Sequence, residues 1–183
     1  MTRNQLEHIL RAAGAITDER EIVVLGSQAI LGSYPDVPAK LCASMEADVF
    51  PAQAPEKADL IDGTIGELSP FHDTHGYYAH GITPESITLA DGWQKRLVRI
   101  QSQVAEGVIG LCLSPADLSV SKLAAGRNKD MTFVALLVRH RLVLPDAIAT
   151  VAAAVAEPAR ATVLENLRLC LAQAEARHCS CKP

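Results

Sequence analysis

The sequence predicts an α/β (α+β) fold in which a sheet is flanked by helices and is followed by a mostly helical C-terminal part. Two observations lead to this expectation. Short apolar runs separated by prolines and glycines fill the first 113 residues, whereas from Ser114 onward the apolar residues recur at helical spacing. We therefore expect an α/β core over residues 1–113 and a helical region over residues 114–183 that packs on this core.

The predicted core begins with a helix. Over residues 4–16, apolar side chains recur at spacings of three and four, which is typical of an amphipathic helix that covers one face of a sheet. Residues 57–71 predict a helix interrupted near Gly63 or Gly66. The strand candidates are short segments with prolines and glycines between them. They are Ile22–Leu25, Ala47–Phe50, Gly76–Ile82, Arg96–Ile100 and Val108–Leu113.

The helical region opens on a clear start signal. Ser114 is a potential cap, Pro115 suits the first turn, and Asp117 adds an acid at the third position. Three more helices are predicted after it, the last two separated by the break at Glu157-Pro158. They span Asp130–His140, Pro145–Ala156 and Pro158–Arg177.

Composition restricts the class of protein. The chain of 183 residues is 49% hydrophobic, which is enough for a buried core. Its five cysteines are irregularly placed and do not form a disulfide framework; with no secretory leader in the first residues, we expect a reducing cytoplasm. No apolar stretch approaches the ~20 residues that span a bilayer. The net charge of −4 argues against indiscriminate nucleic-acid binding.

Two short motifs indicate phosphate and metal chemistry. Gly26-Ser27 follows the first strand candidate and opens a helical segment, where a glycine permits close approach to a ligand and backbone amides and a hydroxyl suit phosphate. Glu46 and Asp48 lie two residues apart in an extended segment, so both carboxylates project from one face and can reach one hard cation. Alone, the glycine is ordinarily a turn residue and the acids are ordinarily solvated. Their combination favours the functional interpretation.

These motifs resemble a known family. A Gly-Ser turn after the first strand, followed by an acidic-x-acidic triplet on the next, resembles the minimal nucleotidyltransferases related to DNA polymerase beta. The segment SPADLSVSKLAAGRNKD, Ser114–Asp130, is similar to a block of the AbiEii-like bacterial toxin transferases and their uncharacterised relatives. The resemblance covers most of residues 20–140 and implies a nucleotidyltransferase-like mixed sheet flanked by helices. Glu46 stands where an aspartate is usual in these families.

The resemblance also implies an activity and a site. The activity is metal-dependent transfer of a nucleotide from a nucleoside triphosphate to a hydroxyl of RNA, such as tRNA, or of protein. A toxin-like enzyme with an antitoxin partner is one form of this activity. The resemblance leaves open whether the chain forms a homo-oligomer. Mg²⁺ or Mn²⁺ is assigned to Glu46 and Asp48. The residues assigned to the nucleotide are Gly26, Ser27 and Lys122. The residues assigned to catalysis are Asp48, Lys122 and Asp130, which implies that Ser27, Asp48, Lys122 and Asp130 converge around one cleft.

Other interpretations of these residues stay open. Lys122 borders an apolar helical face and can simply extend its ammonium into solvent, and Asp130 can cap a helix that begins at Met131. The fold can also serve as a binding or regulatory module without turnover, which Glu46 makes credible. A third possibility is a metal hydrolase built on one histidine-rich segment, whose histidines are His72, His75 and His80. The tail carries Cys179 and Cys181, for which we expect only adventitious metal or oxidation.

Overall fold

The computed structural model describes the backbone of residues 1–101 and 107–179 and the side chains of these residues up to 172. The chain forms two compact units. The first consists of Met1–Ser86 and Arg96–Ser114, and the second of Ile87–Lys95 and the residues from Pro115 onward. Cys181 lies outside the described residues, as does the side chain of Cys179.

The first unit contains a five-stranded mixed sheet in the order β3-β2-β1-β5-β4. The strands are β1 Glu21–Val24, β2 Glu46–Pro51, β3 Tyr78–Gly81, β4 Val98–Gln101 and β5 Ile109–Cys112. β1 is antiparallel to β2 and parallel to β5, β2 is parallel to β3, and β4 is antiparallel to β5. The predicted fold class is confirmed, and each of the five strand candidates is a strand of this sheet.

The described residues of the first unit include four α-helices: α1 Arg3–Thr17, α2 Ile30–Ser33, α3 Ala58–Ile65 and α4 Pro70–His75. Thr2 and Gln5 form a capping box at the start of α1, in which each side chain accepts a hydrogen bond from the other residue's backbone N–H. The predicted interruption over residues 57–71 is confirmed. α3 ends before Gly66, and α4 begins after Ser69, whose side chain accepts a hydrogen bond from the backbone N–H of His72.

Three of these helices pack on the same face of the sheet. A side chain added at Gly110 of β5 would meet Leu10 of α1, and one added at Gly81 of β3 would meet the backbone of α3. α2 lies against Cys112, two residues from Gly110 and therefore on the same face of β5. On β2 and β3, every second residue projects from the face opposite these helices. On β2 these residues include the predicted metal ligands Glu46 and Asp48.

The second unit is helical, with α5 Pro115–Ala125, α6 Asn128–Arg139, α7 Pro145–Ala152 and α8 Ala159–Cys179. Its core is made of fully buried aliphatic side chains, among them Leu118, Leu123, Leu137, Ile148 and Val163. The amide of Asn166 on α8 donates a hydrogen bond of 2.8 Å to the carbonyl of Leu123 on α5. The predicted helices are present, although α7 ends four residues earlier than its apolar pattern indicated.

The start of α6 changes the role predicted for Asp130. α6 begins at Asn128 with Arg127 as its N-terminal cap, so Asp130 is the third helical residue rather than a cap before Met131. The sequence AAGRNKD contains several possible start signals, and propensity alone does not choose among them. None of the helices in the described part of the chain is long and apolar enough to cross a membrane.

Candidate functional site

The two predicted metal ligands lie on β2, at the sheet face opposite α1–α3. β2 alternates between buried and partly exposed residues, so Glu46 and Asp48 project from the same face while Ala47 and Val49 face the helices. β3 lies beside β2 in parallel register, with Tyr78 paired to Glu46 and His80 paired to Asp48. The register therefore adds an imidazole to the two carboxylates.

These three side chains form a close group, which we call the carboxylate–imidazole group: Glu46, Asp48 and His80. Nδ1 of His80 lies 3.1 Å from Oε1 of Glu46 and 3.3 Å from Oδ1 of Asp48. One potential ligand atom from each residue lies within 4.8 Å of the other two. The side chains are 37%, 25% and 47% exposed, respectively, so solvent and a ligand can reach them.

The donor set of this group suits a divalent cation. Carboxylate oxygens are the ligands that Mg²⁺ and Mn²⁺ accept, and a neutral imidazole nitrogen is accepted by Mn²⁺ and by the later transition metals. Two carboxylates on one sheet face repel each other unless a positive charge lies between them. The arrangement therefore fits the metal that the resemblance implies, and His80 is a potential ligand that the motif itself did not reveal.

The Gly-Ser turn lies directly against this group. The backbone N–H of Leu25 donates a hydrogen bond of 2.9 Å to the carbonyl of Asp48. A Cβ placed on Gly26 would lie 1.8 Å from Oδ2 of Asp48, far inside van der Waals contact. Gly26 has φ −77° and ψ −169°, a backbone conformation open to any residue. A side chain at this position would therefore require the Asp48 carboxylate to move from its present place.

Ser27 begins a short 3₁₀ turn, Ser27–Ala29, that continues into α2. Its side chain is partly exposed, while the next residue, Gln28, is fully buried. The Gln28 amide donates a hydrogen bond of 3.1 Å to the carbonyl of Ser44, and the Ser44 hydroxyl accepts one of 3.1 Å from the backbone N–H of Glu46. Gln28 therefore links the Gly-Ser turn to the start of β2, a positioning role that the sequence did not indicate.

Aromatic rings lie beside the carboxylates on the same face. Tyr78 is paired with Glu46, and its ring centroid lies 4.7 Å from that of His72. Burial, with the nearby charges of Glu46 and other acids, raises the pKa of the Tyr78 hydroxyl, so this phenol stays neutral at physiological pH. Tyr77 points the other way and is buried.

The histidine-rich segment does not bring its histidines to one place. His80 belongs to the carboxylate–imidazole group, His72 contacts Tyr78, and the ring of His75 packs at 4.6 Å from Phe71 and 4.8 Å from His8. Because β3 begins at Tyr78, the strand carries His80 away from the two histidines of α4. In the described part of the chain, His72 and His75 therefore do not join His80 in a metal-sized group.

In the second unit, Lys122 and Asp130 form an ion pair. Nζ of Lys122 on α5 lies 3.3 Å from Oδ1 of Asp130 on α6, and their side chains are 16% and 2% exposed. Nε of Arg127 donates to Oδ2 of the same carboxylate at 2.5 Å. Lys122 also lies 5.9 Å from the centroid of the Phe133 ring. The lysine thus does not simply extend into solvent: one carboxylate and one ring face hold its ammonium.

Asp130 stays ionised in this setting. Burial alone would raise the pKa of its carboxyl group, but the hydrogen bond from Arg127 and the positive charge of Lys122 outweigh burial and lower the pKa below its ordinary value. A buried carboxylate with two cationic partners fixes the direction of the lysine. That this pair meets Ser27 and Asp48 in one cleft stays a prediction.

Comparison with known proteins agrees with the geometry of the first unit. A family model described as "Nucleotidyltransferase of unknown function (DUF6036)" matches residues 4–144, more than half of the chain. No curated protein and no solved structure gives a significant match. The matched range includes the Gly-Ser turn, the carboxylate–imidazole group and the Lys122–Asp130 pair. The narrower resemblance to AbiEii-like toxin transferases stays a prediction, whereas the match itself shows that the chain belongs to this family of nucleotidyltransferases.

Proposed function

We propose that the chain is an active, metal-dependent nucleotidyltransferase that uses a nucleoside triphosphate to modify a hydroxyl group of RNA or protein. One observation carries the proposal: the Gly-Ser turn and the paired carboxylates, far apart in the sequence, lie against each other with no room for a Cβ at Gly26. A turn that only reversed the chain would not need to contact Asp48, whereas a turn that presents phosphate to a metal held by Asp48 needs that contact.

In the proposed reaction, the acceptor hydroxyl loses its proton to solvent and its oxygen attacks the α phosphorus, the bond from that phosphorus to the bridging oxygen breaks, and pyrophosphate leaves. Glu46 and Asp48 hold the divalent metal, which supplies positive charge to the triphosphate. Gly26 and Ser27 bind the β and γ phosphates. The reaction has no covalent enzyme intermediate, so orientation and electrostatics provide the acceleration.

Lys122 and Asp130 complete the proposed site. The ammonium of Lys122 binds the triphosphate and offsets the negative charge that develops on the leaving pyrophosphate. Asp130 is a positioning residue, because its contacts are with Lys122 and Arg127. The strength of these contacts supports a fixed lysine, which loses less conformational entropy on binding a phosphate than a mobile one.

The acceptor is proposed from the resemblance alone. Toxin-like transferases of the AbiEii type modify either a tRNA end or a protein side chain, and an antitoxin partner accompanies that role. The rings of Tyr78 and His72, beside Glu46, are suited to stack on a nucleobase, whether of the triphosphate or of an RNA end.

The direct test is transfer of label from each of the four α-labelled nucleoside triphosphates, with Mg²⁺ or Mn²⁺, to total RNA and separately to lysate proteins. We expect label in one of the two acceptor pools. Asp48→Asn and Lys122→Met should each reduce transfer by about a hundredfold or more. His140→Ala, an exposed histidine in the second unit, is the matched control and should transfer normally. Absence of label for all four nucleotides in both pools would overturn the proposal.

A binding or regulatory module without turnover is the second candidate. It is favoured by the contacts of His80 with both carboxylates, because an imidazolium there can neutralise them in place of a cation. Calorimetric titration with a non-hydrolysable triphosphate separates the two. Binding that does not depend on metal, together with no transfer, supports the module.

A further inference from the structure

We propose that His80 is the third protein ligand of the metal and that it gives the site a preference for Mn²⁺ over Mg²⁺. The inference rests on the proposed function, since it concerns the metal that this function requires. The inference goes beyond the proposed function because the family resemblance points only to carboxylate ligands and does not distinguish Mn²⁺ from Mg²⁺.

The first argument is the position of Nδ1. It lies 3.1 Å from Oε1 of Glu46 and 3.3 Å from Oδ1 of Asp48. Two ligands at right angles on a metal with bonds of about 2.1 Å lie about 3 Å apart. Nδ1 is therefore separated from each carboxylate oxygen by about the distance between neighbouring ligands in one coordination shell.

The second argument is the origin of this arrangement in the backbone. β2 and β3 are parallel and in a register that pairs Asp48 with His80. Because both residues lie in strands of a hydrogen-bonded sheet, their Cβ positions are fixed before any ligand binds. The neighbouring residue of β3 adds to this rigidity, since Gly81 lies so close to α3 that a Cβ would be 2.0 Å from the carbonyl oxygen of Ala58.

The third argument is the chemistry of the donors. Mg²⁺ requires a near-ideal octahedron of oxygen ligands and gives up its water reluctantly, whereas imidazole nitrogen is a good ligand for Mn²⁺ and later metals. A histidine ligand therefore replaces one of the oxygen ligands that Mg²⁺ prefers with a nitrogen and weakens its binding. For Mn²⁺ the same histidine supplies a third protein ligand.

A competing role for His80 gives the opposite result. If the imidazole acts as an internal cation between Glu46 and Asp48, a metal must displace it. Removal of the side chain would then strengthen metal binding, whereas removal of a ligand weakens it. The sign of the change therefore distinguishes the two roles.

The experiment measures binding of Mn²⁺ and of Mg²⁺ to the full chain by calorimetry, without nucleotide, for the wild type, His80→Ala and His80→Asn. We expect Mn²⁺ to bind the wild type more tightly than Mg²⁺. His80→Ala should weaken Mn²⁺ binding by about tenfold or more and Mg²⁺ binding much less. Pulsed electron paramagnetic resonance of the Mn²⁺ complex should show ¹⁴N coupling from imidazole, and both variants should lose it. His80 is 47% exposed, so the variants should fold, and thermal unfolding checks this.

His140→Ala is the control, because it removes an exposed histidine of the second unit. Its Mn²⁺ affinity and ¹⁴N coupling should equal those of the wild type. Unchanged or tighter Mn²⁺ binding in His80→Ala, or no ¹⁴N coupling in the wild type, overturns the inference. If the inference about His80 is overturned but label is still transferred to an acceptor, the proposed function stands without His80 as a metal ligand. If Mn²⁺ binds through His80 but no acceptor is ever labelled, the inference stands and the proposed function fails.

Discussion

Replacing Gly26 with alanine tests the contact between the Gly-Ser turn and the metal-binding residues. The added methyl group would lie 1.8 Å from Oδ2 and 2.7 Å from Cγ of Asp48. The backbone at Gly26, with φ −77° and ψ −169°, needs no change to accept alanine. The Asp48 carboxylate must therefore move, and the substitution should act on the ligand rather than on the fold.

The size of the effect follows from this distance. To reach ordinary van der Waals contact, Oδ2 must move by about 1.6 Å from its place 1.8 Å from the new methyl group. Metal–ligand distances tolerate only about 0.2 Å, so Asp48 should cease to be a ligand in its present position. We expect Mn²⁺ affinity to fall by about 10- to 100-fold. The free energy of unfolding should change by less than about 1 kcal/mol, because alanine also restricts the unfolded chain.

The assay is calorimetric Mn²⁺ titration of Gly26→Ala, Asp48→Ala and the double variant, with thermal unfolding of each in chelator. In the Asp48→Ala background the carboxylate is removed and only the Cβ of residue 48 remains, 3.0 Å from the added methyl group, so Gly26→Ala should cause much less further loss of affinity than in the wild type. Gly63→Ala is the matched control, because nothing lies within 4 Å of a Cβ at this helical glycine. It should bind Mn²⁺ normally and raise stability by about 0.5–1 kcal/mol. Wild-type Mn²⁺ affinity in Gly26→Ala would refute the reasoning.

Three further substitutions test the packing and the charges. Asp130→Asn should lower the free energy of unfolding by about 3 kcal/mol at pH 7, because it leaves Lys122 without its buried counter-charge. The folded-state pKa of Asp130 is lowered, so the wild type has this stability at neutral pH and begins to lose it as the pH falls below about 4, where the unfolded carboxyl group titrates. Urea unfolding at pH 7 and at about pH 3 should show a smaller difference between wild type and variant at the lower pH. Gly81→Ala should destabilise the first unit by about 2 kcal/mol or more in urea unfolding, because its Cβ would lie 2.0 Å from a backbone oxygen. Arg99→Ala removes an exposed ion pair with Glu21, and a loss above about 1 kcal/mol would contradict the structure.

The order and type of the elements were readable from local patterns. Each strand of the sheet lies within a short segment that the sequence predicted as a strand, and the start of α5 at Pro115 follows from the signals around it. Local chemistry was insufficient where several signals compete. The start of α6 at Asn128 was missed for this reason, because the chain offers caps on both sides of Lys129.

The candidate site was only partly readable. The Gly-Ser turn and the alternation of Glu46 and Asp48 are visible within a few residues of each motif. His80 was considered with His72 and His75, its neighbours in the sequence, because no local pattern shows which strand will lie beside β2. Gln28 gave no signal, since an interior glutamine that bonds a carbonyl 16 residues away looks like any other polar residue.

The sequence by itself determined the α/β class, the positions of the strands and the two motifs that indicate phosphate and metal chemistry, because periodicity and turn chemistry act over a few residues. Only the tertiary structure decided that β2 and β3 pair in the register that brings His80 to Asp48, and that a side chain at position 26 would displace the Asp48 carboxylate. The same holds for the ion pair between Lys122 and the buried Asp130. Strand register and helix packing depend on contacts between distant parts of the chain, which no local window contains.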